Sequence, residues 1–225
     1  MGTASTLTAS DHHQFATYRA DPKGKPKGGL VVVQEIFGVN HHIRNVCDRV
    51  AAEGYVAIAP ALFDRLTRNF ETGYSADELT KAIDVAQKID RDAMLRDVAA
   101  TVAELKPAGR IGVIGFCMGG SIAFLSAARL DGVAAAVGFY GGQIAAYADE
   151  KPKCPVQLHF GEKDDHIPMS DVEKIKAKRP EIEVYTYPAR HGFCCDERSD
   201  FDAPSAKLAW ERSYAFLDRH LAGRT

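Results

Sequence analysis

The chain has 225 residues, 46% of them hydrophobic and 26% charged, and its 28 Lys and Arg against 30 Asp and Glu leave a formal charge of −2 at pH 7. That profile suits one folded domain with a sizeable core and excludes a disordered segment or a coiled coil. A near-neutral balance also offers no electrostatic footprint for nucleic acid or for an anionic membrane, so neither is expected as a partner.

The first ten residues lack a basic start followed by an apolar stretch, so nothing there reads as a secretory signal. Residues 29–34 form a β-branched run of the kind that makes a strand buried on both faces. Residues 40–54 follow with helical spacing of Ile43, Val46, Cys47 and Val50, and Gly54 closes that helix. A second strand is predicted over 55–60, then a polar excursion over 62–75, then helices over 76–89 and 91–105. Residues 111–128 carry no charge over 18 positions, about the minimum for a spanning helix, but Gly112, Gly115, Gly119 and Gly120 break the run. It reads better as a strand over 110–115, a tight turn and a helix over 119–130. Further strands are predicted over 133–140, 156–161 and 181–187, with a charged helix over 171–178 and a closing amphipathic helix over 204–221. Alternating strands and helices imply an α/β fold with a mostly parallel sheet and helices on both faces. With no repeat, low-complexity tract or linker, residues 1–225 read as one domain.

Cys47, Cys117, Cys154, Cys194 and Cys195 are too few and too irregular for a disulfide framework, and no Cys-x-x-Cys pair occurs. A reducing, cytoplasmic setting is expected. The pairs His12-His13 and His41-His42 suggest no metal, because adjacent side chains on one element point apart and no third ligand keeps a metal spacing. No glycine run follows a phosphate-cradling pattern, so no cofactor is expected.

In such a sheet, ligands bind beyond the carboxyl ends of the strands. Gly115-Phe116-Cys117-Met118-Gly119 directly follows a strand and opens a helix. A strand that turns straight into a helix strains its apex residue, and glycines two before and two after leave room for it; here the apex carries a thiol. The helix N-terminus beneath favours a thiolate. Asp164 and His191 each follow a later strand, giving the order nucleophile, acid, histidine found in α/β-hydrolase triads. Asp165 is not separated from Asp164 by spacing, and either aspartate alone could be a turn or capping residue. The loop Gln34-Glu35-Ile36-Phe37-Gly38-Val39-Asn40 sits where one backbone N–H of an oxyanion hole arises, with Ile36 as the candidate donor and Met118 as the second. Glu35 is either a salt-bridged structural carboxylate or a working one.

That loop, the cysteine elbow with its second glycine at 120, Gly161-x-x-Asp164-x-x-Ile167-Pro168 and His191-Gly192-Phe193 together closely resemble the dienelactone hydrolase family of the α/β-hydrolase fold. The likeness runs over nearly the whole chain, including the terminal helix around Trp210. The resemblance implies a Cys117, Asp164, His191 triad, and a Glu35 that contacts the resting thiol and moves away when substrate binds. It implies hydrolysis of dienelactone (carboxymethylenebutenolide) to maleylacetate. One departure concerns substrate: the family grips a substrate carboxylate with arginines, one of them four residues after the histidine, and Cys195 stands there in this chain. Arg198, Arg65, Arg68 and Tyr74 are the candidates to replace it.

A thiolate leaves a tetrahedral intermediate more easily than an ordinary alkoxide, so activated lactones or enol and aryl esters are the expected substrates. The expected partner is therefore a small-molecule lactone or ester, acted on by a monomer. Two other classes stay open on sequence alone, since a fold does not dictate function. One is a catalytically silent small-molecule binding protein, the other a thiol redox sensor.

Overall fold

In the computed structural model, which describes residues 2–222, eight strands form one sheet. They are β1 (Thr3–Thr8), β2 (Gln14–Ala20), β3 (Gly29–Val33), β4 (Val56–Pro60), β5 (Ile111–Phe116), β6 (Val133–Phe139), β7 (Val156–Gly161) and β8 (Glu183–Tyr187). Their order across the sheet is β1-β2-β4-β3-β5-β6-β7-β8. Strands β3 to β8 pair in parallel, whereas β1 with β2 and β2 with β4 are antiparallel. Every residue of β3, β4, β5 and β7 is buried, as a sheet covered on both faces requires.

The helices are α1 (His41–Ala52), α2 (Ala76–Lys88), α3 (Arg91–Leu105), α4 (Met118–Arg129), α5 (Met169–Lys178) and α6 (Ala203–Leu221). On one face α1 and α6 meet where the Arg49 guanidinium lies over the Trp210 ring, 5.5 Å from its centroid. On the other, α3 and α4 pack against each other and against the central strands. No helix among the described residues is long and apolar enough to cross a membrane. The uncharged stretch over 111–128 divides, as its glycines imply, into β5 and most of α4.

The antiparallel hairpin β1–β2 is the part the sequence did not announce. All of β1 is exposed or half-buried and, apart from Ala4 and Leu7, built of small polar residues, so it carries no apolar alternation, and β2 buries only Phe15, Thr17 and Ala20. Elsewhere the differences lie at ends: α5 begins at Met169 and β8 at Glu183. The excursion after β4 is not wholly polar either. It opens with a 3₁₀ turn, Leu62–Arg65, that buries Leu62 and Phe63, and a bridge between Gly38 and Glu71 ties it to the loop after β3.

Polar groups fasten the segments that carry the site. The Gln34 side chain accepts from the Leu62 N–H at 3.1 Å and donates to the Glu35 carbonyl at 3.2 Å, joining the exits of β3 and β4. Asn40 caps α1 by accepting from the Ile43 N–H. Ser75 and Glu78 form a capping box on α2. That helix nevertheless buries only Ala82, so it lies on the body of the protein with most of its apolar side chains unburied.

Candidate active site

At the junction of β5 and α4 the backbone of Cys117 adopts φ 53° and ψ −118°, a region that L residues rarely occupy. The flanking glycines show why it can. A Cβ on Gly115 would lie 2.0 Å from the Gly119 carbonyl oxygen, and a Cβ on Gly119 would lie 2.4 Å from that of Val33. Only glycine at both positions lets the turn close this tightly, and the turn lifts the Cys117 side chain to the surface of a cleft at the N-terminus of α4.

The cleft has a volume of about 520 Å³. Its floor carries Cys117, Met118, Ile36 and His191, while Leu79, Ile83 and Ala86 of α2 form one wall with Ile89 and Met94. Arg91, Arg198, Gln87, Gln143 and His166 supply its polar lining. Among the described residues, the N–H groups of Ile36 and Met118 are not spent on carbonyls of turns or caps.

His191 Nδ1 lies 2.7 Å from Asp164 Oδ2, and Asp164 Oδ1 accepts from the His166 N–H at 2.8 Å. Both oxygens of this buried carboxylate are thereby engaged, which sets the orientation of the imidazole. Asp165 points elsewhere, to Arg190, with its side chain 72% exposed, so of the two aspartates it is Asp164 that meets His191. Burial opposes charge on His191, but the Cys117 sulfur and the Asp164 carboxylate outweigh it and raise the ring to about 10. The ring also packs at 5.1 Å from Tyr140 and 5.1 Å from His166.

Glu35 makes no hydrogen bond to Cys117 among the described residues; both carboxylate oxygens are buried without a hydrogen-bond partner. Its charged neighbour is Arg198, whose Nη1 lies 3.6 Å from Oε1. Burial works against the Arg198 charge, but facing Glu35 more than compensates. The guanidinium is held between the rings of Phe37 and Tyr74, at 5.7 and 6.0 Å from their centroids.

The four candidates for gripping substrate separate cleanly. Arg198 lines the cleft. Tyr74 stands behind it, with its hydroxyl accepting from Asn40 Nδ2 at 3.0 Å. Arg65 does not reach the cleft: it is locked between Asp97 and Asp11, each at 2.7 to 2.8 Å, and braces α3 against the N-terminal hairpin. A buried Asp97 demands that partner, and this explains why an arginine stands there. Arg68 is exposed and also lies off the cleft.

Sequence reading missed Arg91, the first residue of α3, which lines the cleft and has no carboxylate partner among the described residues. It also missed the α2 wall. The amphipathic pattern of α2 was visible, but its apolar face reads as core until the structure shows that only Ala82 is buried.

Comparisons with known proteins follow the same lines. The model of the "Dienelactone hydrolase family" matches residues 15–221. A Synechocystis protein named "Putative carboxymethylenebutenolidase" is 38% identical over 221 residues, covering 88% of this chain and 89% of its own. A protein of the same name from Azospirillum brasilense is 33% identical over 229 residues, covering 96% and 98%. Among solved structures, a Klebsiella pneumoniae protein described as "Putative Dienelactone Hydrolase" superposes with a TM-score of 0.84 at 32% identity, over 98% of this chain and 100% of the other.

Proposed function

The chain belongs to the dienelactone hydrolase family and is a hydrolase of ester or lactone bonds, and from that premise we propose that Cys117, His191 and Asp164 act as its nucleophile, base and orienting acid on activated lactones or enol and aryl esters of the dienelactone type. The observation that carries this reading is the strained elbow. It presents the Cys117 thiol to the same cleft that His191 lines, while His191 is aligned by Asp164 at 2.7 Å.

The Cys117 sulfur attacks the carbonyl carbon, and the oxyanion that forms is met by the N–H groups of Ile36 and Met118. The C–O bond then breaks, the electron pair leaves with the enol or phenol oxygen, which takes the proton held by His191, and a thioester remains. Acylation neutralises the sulfur, which removes one of the two influences holding His191 up. The ring then falls toward its ordinary range and can take a proton from water, whose oxygen attacks the thioester and returns the thiol. A poor leaving group would instead be outcompeted by the departing thiolate, so plain alkyl esters and amides are poor substrates.

The cleft supports a substrate with a planar apolar body and an anionic end. Leu79, Ile83 and Ala86 offer the apolar surface. Arg91 is the cation without a carboxylate partner among the described residues, and Arg198 is the second once Glu35 releases it. Five unpaired cysteines fit a reducing cytoplasmic setting, and the enzyme acts as a monomer without a cofactor.

The test is a panel of enol lactones, including dienelactone, with aryl esters and matched ethyl esters, run on the wild type and on Cys117→Ala. Turnover of the activated substrates that disappears in Cys117→Ala is expected. Equal kcat/KM on an enol lactone and an ethyl ester of similar size, or turnover persisting in Cys117→Ala, would overturn the reading.

A further inference from the structure

Behind the cleft floor, three chain segments bring together side chains that the hydrolytic step does not use as a set. Glu35 comes from the loop after β3, His42 from the first turn of α1, and Cys195 from the loop after His191. Their exposures are 1%, 0% and 0%, and one ligand atom from each lies within 4.8 Å of the others. Both Glu35 oxygens and both His42 ring nitrogens lack a hydrogen-bond partner; these are four of the eight buried side-chain atoms so left among the described residues. Buried polar atoms are ordinarily satisfied, so four such atoms converging at one spot require an explanation.

We propose that Glu35, His42 and Cys195 form a binding site for one thiophilic divalent cation of the Zn²⁺ type, separate from the nucleophile. The donor set is a carboxylate oxygen, an imidazole nitrogen and a thiolate sulfur, the three kinds that Zn²⁺ accepts, and three protein ligands leave a fourth position for water. The charges also balance: one thiolate and one carboxylate offset the cation, and the thiol proton passes to solvent on binding. Asp196 Oδ1 lies 3.4 Å from His42 Nδ1 without a hydrogen bond between them, close enough to become the outer carboxylate common among metal-bound histidines once Nε2 holds the ion. Arg198 is the resident counter-charge to Glu35, and it has Asp200 at 3.8 Å as an alternative partner when the cation arrives.

The site was not visible along the chain, because the ligands fall at 35, 42 and 195 without any motif spacing. Its presence does not depend on which ester the cleft accepts, and its failure would leave the hydrolase reading intact.

The test uses full-length protein stripped by chelator, in a Cys117→Ala background so that the nucleophile cannot serve as a ligand. Zn²⁺ uptake is measured by equilibrium dialysis with metal analysis, and Co²⁺ substitution is followed by absorption. One Zn²⁺ per chain and a thiolate-to-cobalt charge-transfer band are expected. Cys195→Ser should abolish the band, and both it and His42→Gln should weaken Zn²⁺ binding at least about 100-fold, the upper end of what losing even an outer partner costs. Asp196→Asn should cost about tenfold. Circular dichroism checks each variant's fold, and His42→Gln keeps the test decisive if Cys195→Ser does not fold. No Zn²⁺ uptake in the Cys117→Ala protein would overturn the proposal, as would a charge-transfer band unchanged in Cys195→Ser or Zn²⁺ affinity unchanged in His42→Gln.

Discussion

Replacing Arg198 by methionine probes the ion pair that compensates the buried Glu35 beside the cleft. Glu35 is 1% exposed and has no hydrogen bond, so Arg198 Nη1 at 3.6 Å is the charge that compensates it. At that separation and an effective dielectric constant of about 20, Coulomb's law gives roughly 4–5 kcal/mol of attraction. Methionine keeps an unbranched apolar side chain and removes the guanidinium that lies over the rings of Phe37 and Tyr74. Breaking one side of a buried pair strands the other, so Arg198→Met should lose about 3–5 kcal/mol of unfolding free energy. Glu35→Gln should lose less, about 1–2 kcal/mol, because Arg198 retains Asp200 nearby. The double variant should then be more stable than Arg198→Met alone, with a coupling energy of about 2–3 kcal/mol. Urea unfolding in chelator, followed by the fluorescence of Trp210, which packs on Phe116 and Phe139, reads all four proteins. A deficit below about 1 kcal/mol, or a coupling energy below about 0.5 kcal/mol, would refute the argument that this pair neutralises the buried carboxylate.

Other consequences of the geometry are equally open to measurement. Asp164→Asn should reduce kcat about 10³- to 10⁴-fold with the fold intact, whereas Asp165→Asn should stay within about twofold; equal losses in esterase assays would return the ambiguity that spacing left. Because His191 is raised from 6.5 to about 10, its contribution to stability is complete below about 6.5 and is lost as the pH rises through about 10. Asp164 supplies part of that rise, so the stability gap between wild type and Asp164→Asn should narrow as pH climbs toward 10 in urea titrations. Ile83 on α2 is 40% exposed at the cleft wall, so Ile83→Asn should barely alter stability while raising KM for bulky aryl esters about 5- to 30-fold, with acetyl esters of small alcohols unchanged. Gly115→Ala places a Cβ 2.0 Å from the Gly119 carbonyl oxygen and should destabilise by about 2 kcal/mol or more, read as a drop in urea midpoint.

The contrast between what the residue pattern disclosed and what it hid has a physical origin. Parallel strands buried on both faces concentrate Val, Ile, Ala and Gly into short runs, so β3, β4, β5, β6 and β7 stand out, and the elbow between β5 and α4 is marked by glycines that steric closeness makes obligatory. An edge hairpin leaves no such mark, because β1 faces solvent along nearly its whole length. The direction of a side chain is likewise absent from spacing. Asp164 and Asp165 are indistinguishable in order, and only the turn after β7 sends one to His191 and the other to Arg190. Arg65 looked available for substrate because nothing in its neighbourhood along the chain announces Asp11 and Asp97, which lie 54 and 32 positions away.

The same reasoning bears on the arginine that the family resemblance implies four residues after the histidine, where this chain has Cys195. Putting a cysteine there does not leave Glu35 without a cation, because Arg198, three residues on, turns back through a loop whose glycine, Gly192 at φ 78°, lies against its guanidinium. The buried carboxylate thus has its cation, supplied from position 198. What the exchange adds is a buried thiol beside a carboxylate and an imidazole, and it adds them where the carboxylate has no hydrogen bond to lose. At the proposed site a divalent cation would compete with the Arg198 guanidinium for that one carboxylate, so Arg198→Met should raise the affinity for Zn²⁺ in equilibrium dialysis, and an unchanged affinity would refute the competition.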